Sequence, residues 1–200
     1  MEWLFKRLST PVVEAATAAL HDVFCPGAPT GGACKAPDNM ITVHVRWGDK
    51  GLEMQLVNIA VYESAVQILI ERHHIERPVI FFTTEDRTAL RAFEPIAKKH
   101  KWELHTHEAA IVESGDARID PSKSGSVGAN AFIALILALE ARYFVLTSGS
   151  NWSRLINELR TTRVDGFCNK CTFAIDVSPG ACDRARACKG EVAASDFEMP

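Results

Sequence analysis

The feature that most constrains this chain is a regular alternation of two kinds of segment. Short β-branched or aromatic runs, Met40 to Val45, Pro78 to Thr83, Trp102 to His105, Tyr143 to Leu146 and Thr172 to Val177, have the length and composition of buried strands. Between them apolar residues recur at helical spacing over Asn58 to His73, Arg87 to His100, Val127 to Glu140 and Asn151 to Thr161. A first helix over Pro11 to Phe24 precedes the first strand, with Thr10 as its cap and Pro11 in its first turn. The order is therefore αβαβαβαβαβ. Strands separated by helices of this length pair in parallel through right-handed crossovers, and an unbroken apolar strand is covered on both faces. The expectation is an α/β fold, a parallel Rossmann-like sheet with helices on both faces. Ligands of such sheets sit at the carboxyl ends of the strands. The loops after Val45, Thr83 and Leu146 are where a site is to be sought.

Of the 200 residues 47% are hydrophobic and 24% charged, enough apolar material to bury one core and too little charge for a disordered chain. A net charge of -3 leaves no general basic footprint for nucleic acid or an anionic membrane, so any anion site must be local. The longest apolar run, Ala129 to Leu139, is ended by Glu140 and Arg142, short of the ~18 residues of a membrane helix. The opening residues Met1 to Arg7 lack the pattern of a signal peptide. The expected organisation is a helical lead-in over 1–39, an α/β domain over 40–178 and a cysteine-containing tail over 179–200. Val112 to Gly128, rich in Ser, Gly and Asp with Pro121, reads as a long connection or lid. Six cysteines, Cys25, Cys34, Cys168, Cys171, Cys182 and Cys188, flank a cysteine-free middle. Cys168 and Cys171 form C-x-x-C, which Cys182 and Cys188 can complete as a zinc site; disulfides and unpaired thiols are the other readings.

The loop His44-Val45-Arg46-Trp47-Gly48-Asp49-Lys50-Gly51-Leu52-Glu53 brings an arginine, a lysine and carboxylates to the end of an apolar strand. Arg46 has the forked geometry that grips a phosphate, and Lys50 adds a second charge. The plainer alternatives are an Arg46 ion pair in solvent and a His44 satisfied within the core. Thr83-Thr84-Glu85-Asp86 ends the next strand, where a carboxylate caps the following helix. Thr147-Ser148-Gly149-Ser150-Asn151-Trp152-Ser153-Arg154 is a strand, a small-residue turn and a helix start. Its N–H groups and hydroxyls suit an anion, with Arg154 one turn into the helix. Two such loops, each with an arginine, point to a diphosphate. Neither a G-x-x-x-x-G-K-[ST] loop nor a G-x-G-x-x-G fingerprint is present, which removes support for a P-loop hydrolase or a dinucleotide dehydrogenase. Asp-x-Asp, the divalent-metal holder of many sugar transferases, is also absent, so no metal is expected for the donor. Asn151-Trp152-Ser153 fits a glycosylation sequon but falls at an expected packed helix start.

Taken in order, His-Val-Arg-x-x-Asp-Lys, then Thr-Glu-Asp, then Ser-Gly-Ser-Asn-Trp-x-Arg-Leu-Ile-x-Glu-Leu resembles the motif set of the α1,6-fucosyltransferase-type glycosyltransferases over about Met40 to Thr161. The resemblance implies the nucleotide-binding, C-terminal lobe of a GT-B fold and metal-independent, inverting transfer from GDP-fucose, or a similar nucleotide diphosphate sugar, to a glycan or glycoprotein acceptor in the secretory pathway. It implies that Arg46 holds the β-phosphate, that His44 lies beside the nucleotide, that Lys50 is near the reacting centre and that Glu53 is the general base. Ser148, Gly149, Ser150, Asn151 and Arg154 fall in the family's third motif and are implied donor contacts. Glu53 stands three residues after Lys50 where the core-fucosylating enzymes have four. Trp47 stands where those enzymes have a second arginine, and about Ala134 where they place the aspartate that reads guanine. About forty residues precede the first motif, where the family has an acceptor lobe, so binding of the donor with little turnover is expected. A non-catalytic nucleotide-sugar-binding module is the alternative.

Overall fold

The computed structural model describes residues 8–29, 33–47, 56–111 and 124–179. Five strands, β1 (Met40–His44), β2 (Val79–Thr83), β3 (Glu103–His105), β4 (Tyr143–Leu146) and β5 (Phe173–Asp176), form one sheet in the order β3-β2-β1-β4-β5. Every neighbouring pair is parallel, with Met40 beside Val79 and Val43 beside Val145. The helices are α1 (Thr10–Phe24), α2 (Ile59–His73), α3 (Arg87–His100), α4 (Ser124–Ala138), α5 (Asn151–Leu159) and the short α6 (Asp165–Cys168); Arg160–Val164 between the last two is a π-helical turn. The expected α/β class is what forms, a Rossmann-like parallel sheet between helices. The chain leaves β1 toward β2 on one side and returns to place β4 on the other, so a crevice opens at the carboxyl ends of β1 and β4.

All five residues of β1 and of β2 are buried, because successive side chains enter opposite cores. Ile41, Val43, Ile80, Phe82 and Val145 pack with Tyr62, Val66 and Leu69 of α2 and Leu90 and Phe93 of α3. Met40, Phe81, Phe144 and Leu146 pack on the other face with Ala19 of α1, Leu135 and Leu137 of α4, and Ile156 and Leu159 of α5. Each fully buried large apolar side chain contributes about 1.5–3 kcal/mol. Thr42, polar and buried in β1, is also satisfied: its Oγ1 donates to the Ala138 carbonyl at 2.8 Å, closing the end of α4. Asn58 caps α2 through Ala60 N–H at 2.9 Å. Asp86 caps α3 through Thr88 N–H at 2.8 Å, as its loop predicts. Both helices end on a left-handed residue, His74 and Lys101.

Departures from the sequence expectation lie at the ends of elements. Pro78 has no N–H to enter the ladder, so β2 begins at Val79. Ser9, not Thr10, stands at the N-cap position of α1, without a side-chain bond. Ser124 to Gly128, expected in a loop, form the first turn of α4; 112–123 lie outside the described residues. That turn, Ser-Gly-Ser-Val-Gly, is made of weak helix formers, and the packing of the later apolar turns overrides them. Cys25 is bonded to Cys34 and Cys168 to Cys171; Cys182, Cys188 and the rest of the expected tail from Gly180 lie outside the described residues. Among the described residues no helix is long and apolar enough to cross a membrane.

Candidate functional site

The crevice is built from the ends of β1 and β4 and the first turn of α5. His44, the last residue of β1, is 1% exposed, and its Nδ1 lies 2.6 Å from Ser153 Oγ on α5. Ser153 Oγ in turn accepts the Thr147 N–H at 3.2 Å. Of His44 and Ser153, one donates and the other accepts, according to which ring nitrogen carries the proton. Burial, with the nearby Arg46 charge adding to it, pushes the His44 pKa down to about 3, so the ring is neutral across the physiological range. His44 is therefore the satisfied core histidine of the plainer reading and also a bolt that ties β1 to the start of α5.

Two residues on, Arg46 leaves β1 beside the turn that follows β4. Its guanidinium is ion-paired with Glu85, at the end of β2. The sequence reading placed Glu85 only in a capping loop; the parallel register of β1 and β2, with His44 beside Thr83, brings the two together. Among the described residues Arg46 thus meets the carboxylate that follows the neighbouring strand. Trp47 turns its indole back: Nε1 donates to the Val57 carbonyl at 3.0 Å, and the ring packs against the core under α2. It braces the two sides of the segment 48–55, which lies outside the described residues together with Lys50 and Glu53.

The turn after β4 is more self-contained than its sequence suggests. The Ser148 N–H donates to Asp176 Oδ1 at 3.0 Å and the Gly149 N–H to Ser178 Oγ at 3.2 Å. Ser178 is itself held by Asp176, which accepts its N–H at 2.9 Å and its hydroxyl at 2.7 Å. Two of the amides expected to face an anion are spent on a carboxylate and a hydroxyl at the end of β5. Neither Asp176 nor Ser178 was among the expected site residues. The trace in the sequence is Asp-Val-Ser, the spacing at which an aspartate bonds the N–H two residues on.

What remains is the start of α5. Ser150 is at the N-cap position but makes no capping bond, and its Oγ, in a residue 2% exposed, is buried with no hydrogen-bond partner. The first N–H groups of a helix have no intrahelical acceptor, and the aligned peptide dipoles make that end positive. A buried hydroxyl left unmade costs about 1–3 kcal/mol. Asn151 and Arg154 are exposed and bonded to each other, and Arg154 also reaches the Ser148 carbonyl at 3.4 Å, folding over the turn. The structure thus brings His44, Arg46, Ser148, Gly149, Ser150, Asn151 and Arg154 to one crevice, with Ser150 the member whose polar atom lacks a partner. Beneath the turn, Ser148, Ser153, Asn157, Arg160 and Asp176 line a cavity of about 20 Å³, room for one water and not for a nucleotide. No model of a known protein family matches the chain, and no curated protein does.

Proposed function

We propose that this domain binds a nucleoside diphosphate sugar in the crevice between β1 and β4, as the donor-binding lobe of a fucosyltransferase-like glycosyltransferase. The observation that carries the reading is the uncapped start of α5. A buried, unpartnered Ser150 hydroxyl and a positive helix end lie at the switch point of a parallel sheet, one strand from Arg46. A diphosphate oxygen satisfies Ser150 and the free N–H groups together. Arg46, steadied by Glu85, supplies the charge-assisted contact, and Arg154 stands at the rim. In the transfer that the motif resemblance implies, Glu53 takes the proton of an acceptor hydroxyl, which attacks the anomeric carbon with inversion. Arg46, Lys50 and the start of α5 stabilise the departing diphosphate without a metal.

A second reading, a non-catalytic nucleotide-sugar-binding module, is favoured by Trp47 and Glu85. One removes a family arginine from the loop and the other offsets the charge of Arg46, so the phosphate field is weaker than an enzyme with two arginines has. Calorimetric titration of the whole chain with GDP-fucose and GDP tests both readings. Saturable binding that Ser150→Ala and Arg46→Ala weaken supports the site, and the absence of heat with either nucleotide rejects it. Fucose transfer to a chitobiose-containing glycan, lost in Glu53→Gln, separates enzyme from module.

A further inference from the structure

The segment leading into β5 carries a second cluster, which shares Arg160 with the cavity beneath the β4 turn. After the π-helical turn, α6 starts at Asp165 and ends at Cys168. Asn169 and Lys170 then both adopt left-handed backbone, with φ of 57° and 61°, and Cys171 leads into β5. This tight reversal sets Cys168 and Cys171 side by side with their Cα atoms 5.5 Å apart, joined as a disulfide. The Asp165 carboxylate faces the pair: the ligand atoms of Asp165, Cys168 and Cys171 all lie within 4.8 Å of one another, and Asp165 Oδ1 is 3.9 Å from Cys168 Sγ. The Cys171 N–H points at Cys168 Sγ from 3.3 Å, a bond that stabilises negative charge on that sulfur.

The carboxylate is held as a metal ligand usually is. Asp165 Oδ1 accepts from the N–H and hydroxyl of Thr172 at 3.0 and 2.8 Å, and Oδ2 accepts from Arg160 at 3.2 Å. Arg160 also donates to Thr172 at 2.8 Å, which closes the network. Such an outer layer fixes the direction of a ligand before any ion arrives. The reversal is open to solvent, with neighbouring Phe167 86% exposed, so a soluble thiol reaches the disulfide.

We propose that Cys168, Cys171 and Asp165 form a reduction-gated site for zinc or a similar thiophilic divalent cation. In an oxidising setting the sulfurs are joined. A thiol reductant of the glutathione class transfers two electrons and two protons, opening the bond to two thiols as two reductant molecules couple to their own disulfide. The cation then displaces both thiol protons and binds two thiolates and one carboxylate, with a fourth, tetrahedral position left for water or another donor. Tetrahedral zinc holds its sulfurs about 3.8 Å apart, a separation reached here by side-chain rotation. Two thiolates with one oxygen donor favour zinc over magnesium or calcium. The same two residues thus staple α6 to the start of β5 in either setting, by a covalent bond or by a metal.

The test is cobalt(II) titration of the whole chain, oxidised and after reduction by a trialkylphosphine, in a Cys182→Ser/Cys188→Ser background. The reduced protein is expected to develop tetrahedral cobalt bands and thiolate-to-cobalt charge transfer that saturate at one equivalent and are bleached by zinc. The oxidised protein is expected to give neither. Cys168→Ser should abolish the signal, and Asp165→Asn, which keeps the carboxylate's shape, should weaken binding by about tenfold or more. Equal binding by the oxidised protein, an unchanged spectrum in Cys168→Ser, unchanged affinity in Asp165→Asn, or loss of the site in the Cys182/Cys188 background alone overturns the proposal.

Discussion

Lowering the pH should unfold this domain through one residue more than any other, and the size of the effect follows from where His44 sits. The ring is buried, its Nδ1 is hydrogen-bonded to Ser153, and Arg46 lies close by. Protonation buries a cation and repels Arg46. With a folded pKa of about 3 against 6.5 in the unfolded chain, the unfolded state binds more protons throughout that window. The stabilisation is complete above pH 6.5 and is lost progressively as pH falls through 6.5 toward 3. Its full size is about 5 kcal/mol, and between pH 8 and pH 5 the loss is about 2 kcal/mol, a large fraction of a typical domain stability. His73 and His107, both lowered chiefly by burial, add to the slope in the same direction. The measurement is therefore a difference: urea unfolding of the wild type and of His44→Gln at several pH values from 8 to 5. The variant starts less stable and should lose about 2 kcal/mol less over that range. Parallel curves for the two proteins would refute the reasoning, because they would mean that His44 takes up no extra proton on unfolding.

Arg46→Ala should cost on the order of 2–4 kcal/mol of GDP affinity by calorimetry while the fold is kept, and unchanged affinity would remove Arg46 from the site. Nucleotide binding should be the same with and without EDTA; loss on chelation that manganese or magnesium restores would show that the diphosphate is held by an ion. Asp176→Ala should destabilise the protein by about 2–4 kcal/mol in urea unfolding, since it strands the Ser148 and Ser178 N–H groups, whereas Asp176→Asn, which keeps an acceptor, should cost less. Phe144→Ala, at a fully buried position on the α5 side of the sheet, should cost about 3–5 kcal/mol.

Periodicity carried most of the fold because the determinants of a parallel sheet are local. Val-Ile-Phe-Phe-Thr carries the β-branched and aromatic residues of a buried strand within its own five positions, and Asp86 caps α3 from within its own loop. The site was legible to the extent that it is a matter of chain order. His44, Arg46 and Ser150 come to one crevice because strand ends next to a switch point must converge. What the sequence did not disclose is which polar groups cancel one another across the sheet. Glu85 meets Arg46, and Asp176 and Ser178 meet the β4 turn, only once strand order is known, and 28 residues separate Ser148 from Asp176. The first turn of α4 escaped for the opposite reason. Its residues have no helical signal, and the rest of the helix imposes the conformation.

The π-helical turn bears on how the gene can change. An α-helix advances about 100° per residue, and a π turn holds one residue more than the regular spiral. Here that surplus lies between Leu159, which is fastened into the core, and Asp165, which is fastened to Thr172. Removing one codon among Thr161, Thr162 and Arg163 would restore a regular spiral while Leu159 and Asp165 keep their places. An added residue has no such spiral to fall back on and would turn Asp165 by about 100° away from Thr172. Single-residue insertions should therefore be tolerated less than single-residue deletions at this stretch, while conservative exchanges at Thr161 or Thr162, whose side chains face solvent and bond only the preceding turn, pass freely. The surplus residue makes this segment readier to lose a position than to gain one.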